Sequence, residues 1–194
     1  HLAPHVTGMI GLDPESWAVW PDWSHAHPNL RFLQGSYDQV PPLLPAASAD
    51  VAICNQVYEH VPEPQALIAF IHRLLRPGGW CYFAGPNLLF PIEPHVHWPC
   101  VHWLPRRAGQ WLMRALGSKR AADLDAYSAH YWRLRGWLTP GFDIINAVPY
   151  FVRAVVPAQR PGHAWRALAL LPAGLIDVLT PLSPGFAFVL RKRA

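Results

Sequence analysis

The stretch A-D-V-A-I-C-N-Q-V-Y-E-H-V, residues 49–61, decides the fold, together with L-L-R-P-G-G-W at residues 74–80 that follows it. Asp50 to Cys54 is a short, largely apolar run that stops abruptly at polar Asn55 and Gln56, as a parallel strand does at its carboxyl end. Between the two stretches, Leu67, Ile68, Phe70, Ile71, Leu74 and Leu75 recur at helical spacing over Glu63 to Leu75, and Arg76-Pro77-Gly78-Gly79 stops that helix. Trp80 to Ala84 (W-C-Y-F-A) is apolar throughout, which predicts a further strand at the centre of a sheet. Strand, helix and strand in this order predict an α/β domain.

Working outward toward the start, Val6 to Leu12 is a strand candidate ended by Asp13-Pro14, and Leu30 to Leu33 is another, closed by Gly35. A helix between them is weak, because Pro21 and Pro28 interrupt it. Pro41 to Pro45 marks a loop. Toward the end, residues 91–103 are rich in Pro, His and Trp, and helices are predicted over Arg106 to Leu116 and Ser128 to Trp137. Phe142 to Val148 and Phe186 to Leu190 are the last two strands. The apolar insert around Trp165 to Leu179 between them reads as core or as a hydrophobic lid; contact with a membrane surface is the minor reading. Its Arg166, Pro172, Asp177 and Pro181 argue against a membrane-spanning helix.

With 194 residues, 52% hydrophobic and only 14% charged, the chain is apolar enough to collapse around one core, so a disordered chain is excluded. The net charge of +4 is not gathered into a basic stripe, which weakens any nucleic-acid reading. Three cysteines, Cys54, Cys81 and Cys100, without C-x-x-C spacing, speak against a disulfide framework and for a cytoplasmic, reducing compartment.

In an open parallel sheet, ligands bind beyond the carboxyl ends of the strands. There the sequence places Asp13, whose carboxylate can accept both hydroxyls of a ribose, then Gly35-Ser36-Tyr37-Asp38, a tight turn able to reach an adenine edge. Asn55-Gln56-Val57-Tyr58-Glu59-His60 and Gly85-Pro86-Asn87 follow the other two strands.

G-L-D-P-E at residues 11–15, F-L-Q-G-S at 32–36, the stretch 49–61 and the turn 74–80 together resemble the class I S-adenosylmethionine-dependent methyltransferases, the small-molecule group called type 11 or 12. The resemblance covers residues 6–87. It implies a Rossmann-like, mainly parallel sheet with an antiparallel last strand and helical lid insertions. The chain would then be one domain, 1–194, with residues 1–87 as the cofactor-binding half and 88–194 as the substrate side. It implies S-adenosyl-L-methionine as cofactor, with Asp13 on its ribose, Ser36 and Tyr37 at its adenine, Asn55 and Gln56 along its methionine part and Val57 near its sulfonium. His60 would lie close to the transferred methyl group. The family's D-x-G-x-G loop is missing from the 194 residues, as are the first strand and helix that would flank it, and a start at His1 without Met suggests a truncated chain.

Residues 93–105, E-P-H-V-H-W-P-C-V-H-W-L-P, resemble a substrate-side segment, E-x-H followed by W-L-P, of some methyltransferases of bacterial surface-sugar and lipid pathways. A histidine there can act as general base toward a hydroxyl or amine, and tryptophan can stack on a sugar or apolar face. His60 and His95 are the two candidate bases. His95, His97, Cys100 and His102 include good zinc ligands, yet H-x-H-x-x-C-x-H is no specific spacing, and no metal is assigned from it. The expected activity is methyl transfer to a small-molecule, sugar or lipid-linked acceptor. The alternatives are a non-catalytic binding or scaffold module of the same fold, and a nucleotide-dependent oxidoreductase, which Asp13 alone would serve equally well.

Overall fold

The computed structural model describes residues 2–155 and 167–193. Among the described residues, six strands form two hydrogen-bonded sheets. The first pairs β1 (Met9–Asp13) with β2 (Leu30–Gln34) in parallel, joined by the short helix α1 (Trp20–Ala26). Pro21 does not abolish α1, because it sits in the first turn, where its missing N–H has no partner to lose. The second sheet has the order β3-β4-β6-β5, from β3 (Ala49–Asn55), β4 (Leu75–Pro86), β5 (Phe142–Asn146) and β6 (Gly185–Lys192). Here β3 and β4 are parallel, linked by α2 (Pro64–Leu74), while β6 runs antiparallel to both β4 and β5.

The mixed α/β architecture with an antiparallel carboxyl-terminal strand is the one expected, but among the described residues the strands do not make one continuous sheet. No strand joins β1 to β3. A second difference is β4, which begins at Leu75 instead of Trp80. The Arg-Pro-Gly-Gly turn is absorbed into the ladder, with a register shift opposite Ala49 and Val51 and with Gly78 at φ 75°, a conformation that suits glycine.

The core lies on the second sheet. Phe83 of β4 and Phe188 and Leu190 of β6 are fully buried, and α2 presses Leu67, Ile68 and Ile71 onto them from one face. The helix α4 (Tyr131–Leu138) adds Leu134 and Leu138 to the same cluster. Cys54 and Cys81 are buried in adjacent strands as small apolar side chains, and burial drives the Cys54 thiol up to about 12. A separate small cluster, Val96, Val101, Met113, Ala121 and Leu124, packs the segment after β4 against α3 (Arg106–Ala115). The remaining helices are the short turn α5 (Val148–Tyr150) and α6 (Ala173–Leu179). Trp165 lies outside the described residues, and in the described part of that insert Leu170 and Val178 face outward while Ile176 is buried. Among the described residues no helix is long and apolar enough to cross a membrane.

Candidate functional site

Two groups of polar residues stand at the carboxyl ends of the strands, and they differ in kind. The first belongs to the β1-β2 sheet. Asp13 is half-buried at the end of β1, and its Oδ1 accepts the Glu15 amide at 2.9 Å. The Gly35 amide donates to the Asp13 carbonyl at 2.9 Å, which seats the turn after β2 directly beside Asp13. Gly35 itself has φ 149° and a Cβ there would meet Val40 Cγ1 at 2.9 Å, so this tight turn needs glycine. Ser36 Oγ donates to the Asp38 carboxylate, while the Tyr37 ring packs against the main core. Burial and the neighbouring Glu63 carboxylate raise the Tyr37 phenol.

The second group follows β3. Gln56 adopts a left-handed backbone, φ 55°, and its amide donates to the Ala84 carbonyl at 2.9 Å, so the chain turns sharply off the strand while staying tied to β4. Asn55, Gln56 and Val57 are exposed on this turn. The next three residues, Tyr58 to His60, form a 3₁₀ turn that drives inward. Tyr58 is fully buried, and its hydroxyl donates to the Pro86 carbonyl and accepts the Ala129 amide at 3.2 Å. Gly85 makes room for it: a Cβ at that position would lie 2.5 Å from the Tyr58 ring and 3.2 Å from Glu59 Oε2.

Glu59 is therefore held at 0% exposure, with its carbonyl accepting the Tyr127 amide at 2.6 Å. Neither of its carboxylate oxygens has a hydrogen-bond partner among the described residues. Burial pushes this carboxyl up to about 7, against a smaller pull from its own backbone and from the His95 charge. His60 Nε2 lies 3.9 Å from Glu59 Oε1, with the imidazole partly open to solvent. The segment after β4 brings up the other half. Glu93, also buried, binds His95 Nδ1 with Oε1 at 2.7 Å and accepts the Val96 amide on Oε2 at 2.6 Å. The His60 and His95 rings meet edge to face at 5.0 Å.

The fold thus brings together the two histidines expected as bases, from loops far apart in sequence. It does not bring His97, Cys100 or His102 to them. His102 Nε2 bonds the Leu88 and Phe90 carbonyls at 3.1 and 2.9 Å, which ties down the loop after β4. Asn87 is likewise structural, its amide donating to the Pro181 and Ser183 carbonyls. The two glutamates were missed by the sequence reading, which saw E-H and E-x-H as histidine motifs.

Residues 2–83 match the family model described as a methyltransferase domain. A ubiquinone biosynthesis O-methyltransferase of Albidiferax ferrireducens is 35% identical over 83 residues, 41% of this chain and 32% of that relative's length. The match therefore spans about a third of the relative. An S-adenosylmethionine-dependent methyltransferase from Mesorhizobium loti superposes with TM-score 0.59 at 16% identity, over 96% of this chain and 81% of that one. A Haemonchus contortus phosphoethanolamine N-methyltransferase, solved with S-adenosylhomocysteine, gives 0.57 at 13% identity, over 99% and 45%. Over residues 2–83 the chain is similar to the methyltransferase domain, and the solved S-adenosylmethionine-dependent methyltransferases share its fold.

The residues present fit this family's cofactor in part. Asp13, adjacent to the glycine turn before Ser36, offers a carboxylate where a ribose would need an acceptor of two hydroxyls, and the turn 55–57 leaves an exposed polar edge at the end of β3. The backbone amides that a D-x-G-x-G loop would supply are not found in the 194 residues. The end of β1 thus presents an acceptor carboxylate, and the most unusual chemistry of the described residues lies in the Glu59, His60, Glu93 and His95 cluster.

Proposed function

We propose that this domain serves S-adenosylmethionine-dependent methylation of a hydroxyl on a small molecule, with the Glu59 cluster at the acceptor end and Asp13, Ser36 and Tyr37 at the nucleoside end. The observation that carries this reading is the buried Glu59 carboxylate, without a hydrogen-bond partner among the described residues, beside the His60–His95 pair and just past the carboxyl end of β3. Bound S-adenosylmethionine supplies an electrophilic methyl carbon already activated by its sulfonium. The protein's own work is alignment and handling of one proton. The acceptor oxygen forms its bond to the methyl carbon, the carbon–sulfur pair stays on sulfur, and the hydroxyl proton leaves toward the imidazoles. Glu93 fixes the His95 ring by holding Nδ1, which leaves Nε2 free to face an acceptor.

Support for a hydroxyl acceptor of quinone or phenol type comes from the relatives named ubiquinone biosynthesis O-methyltransferases. An oxidoreductase reading has no comparable support in the cluster, where a carboxylate and imidazoles bind protons and cations but no hydride carrier. The test is calorimetric titration of S-adenosylhomocysteine into the chain and into Asp13→Ala. Binding weakened about tenfold or more by the substitution is expected, from loss of a charge-assisted hydrogen bond. Equal binding by both proteins overturns the assignment of Asp13, and binding by neither moves the domain to the non-catalytic class.

A further inference from the structure

The acceptor end contains two buried carboxylates that are treated in opposite ways. Both oxygens of Glu93 are used, one on the His95 ring and one on the Val96 amide, so Glu93 is an orienting group. Neither oxygen of Glu59 has a hydrogen-bond partner among the described residues, although the residue is fully buried, and His60 Nε2 stands off at 3.9 Å from Oε1. Nothing in the fold forces a carboxylate there, since Tyr58 and Gly85 already fill and shape the turn. An ionised carboxyl without a donor is costly to bury, and among the described residues only imidazoles approach these two, with no lysine or arginine paired to either.

The potential ligand atoms of Glu59, His60 and His95 lie within 4.8 Å of one another. Ligand atoms on a tetrahedral ion with bonds near 2.0–2.1 Å stand about 3.3 Å apart, so closing the set needs a movement of roughly 1.5 Å. His60 can supply it, because its imidazole is partly solvent-exposed and, among the described residues, holds no side-chain hydrogen bond. His95 cannot wander, because Glu93 grips its other nitrogen, the arrangement that orients histidine ligands in metal sites.

We infer that Glu59, His60 and His95 form a divalent cation site, with Glu93 as the residue that positions His95. One carboxylate and two imidazoles suit zinc or manganese, and three protein ligands leave positions open for an oxygen ligand. Cation binding stands on this geometry alone. Its use, to hold the acceptor's oxygen and ease loss of its proton, rests on the methyl-transfer reading above. With the ion in place, the two imidazoles are ligands and the proton departs to solvent.

The experiment uses the chain as it stands. Zn²⁺ is titrated by calorimetry and Mn²⁺ by loss of the free-ion electron paramagnetic resonance signal, into the unaltered protein, Glu59→Gln, His60→Ala and Glu93→Gln. One saturable ion per chain is expected for either probe, weakened at least tenfold by Glu59→Gln and by His60→Ala, and roughly ten- to a hundredfold by Glu93→Gln. His60→Ala guards against misfolding as an explanation, because that side chain is half-exposed and its loss should leave thermal melting within a few degrees. No saturable site, or a site equally tight in Glu59→Gln and His60→Ala, overturns the inference. S-adenosylhomocysteine titrated into the same samples separates the two claims: an ion bound without the nucleoside keeps the site and removes methyl transfer, and the reverse removes only the site.

Discussion

The two sheets carry their polar residues at very different energetic cost. At the β1-β2 sheet the side chains satisfy one another in half-exposed turns: Asp13 caps the Glu15 amide and Ser36 donates to Asp38. This sheet has little interior of its own, with Leu30 as its buried strand residue and Trp20 stacked on Phe32 at 4.8 Å. At the β3-β4-β6-β5 sheet the glutamate after β3 is driven to zero exposure without a partner. A dense core makes the second arrangement sustainable, because strain at a site persists only where the surroundings over-determine it. The contrast separates a rim that a ligand can occupy with little rearrangement from a cluster whose present state is incomplete.

The largest effect should come from thinning the scaffold under the cluster. Phe83 is fully buried in β4 and contacts Tyr58 at a ring separation of 5.7 Å. Phe83→Ala is expected to cost about 3–5 kcal/mol, which lowers the melting temperature by roughly 10 °C or more. A loss near 1 kcal/mol would show that the second sheet is no more over-determined than the first. Next comes Gly85→Ala, which puts a methyl group 2.5 Å from the Tyr58 ring. Overpacking of this kind costs about 1–3 kcal/mol, and the 3₁₀ turn carrying Glu59 should shift with it. Thermal melting together with the ion titration reads both effects, and an unchanged affinity would detach the cluster from its scaffold.

Asp13→Ala works in the other direction. With its carboxylate in a half-exposed turn, stability should change by no more than about 0.5 kcal/mol, while S-adenosylhomocysteine binding falls about tenfold. A large drop in melting temperature would recast Asp13 as a structural cap.

How much of this could be read from the chain follows the same division. Helix α2 and strands β3, β4 and β6 were legible because their apolar patterns are strong, and the family resemblance rested partly on residues 49–61 and 74–80 of the same region. The boundaries moved where local chemistry competed: Arg76-Pro77-Gly78-Gly79 reads as a turn, yet the ladder to β3 already starts at Leu75 and resumes at Trp80 after a register shift. The nearness of His60 and His95 came from two loops meeting in space, which no spacing in sequence reports. Glu59 was hidden for another reason. A glutamate carries a strong expectation of exposure, and only the packing of Tyr58 against Gly85 reveals that this one has none.

The smallest predicted effect tests the face of β3 that looks away from the core. Strands of a parallel pair are commonly covered on both faces, and the alternation here is clear: Cys54 is buried, while Val51 and Ile53 are 61% and 55% exposed. Replacing both with threonine keeps the β-branched shape that a strand favours and removes only apolar surface that already meets water. The double substitution should change stability by less than about 0.5 kcal/mol per site and leave ion and nucleoside affinities untouched. A fall of several degrees in melting temperature would mean that these side chains are covered in solution. The open face of β3 would then belong with the over-determined region, and the comparison between the two sheets would have to be redrawn around it.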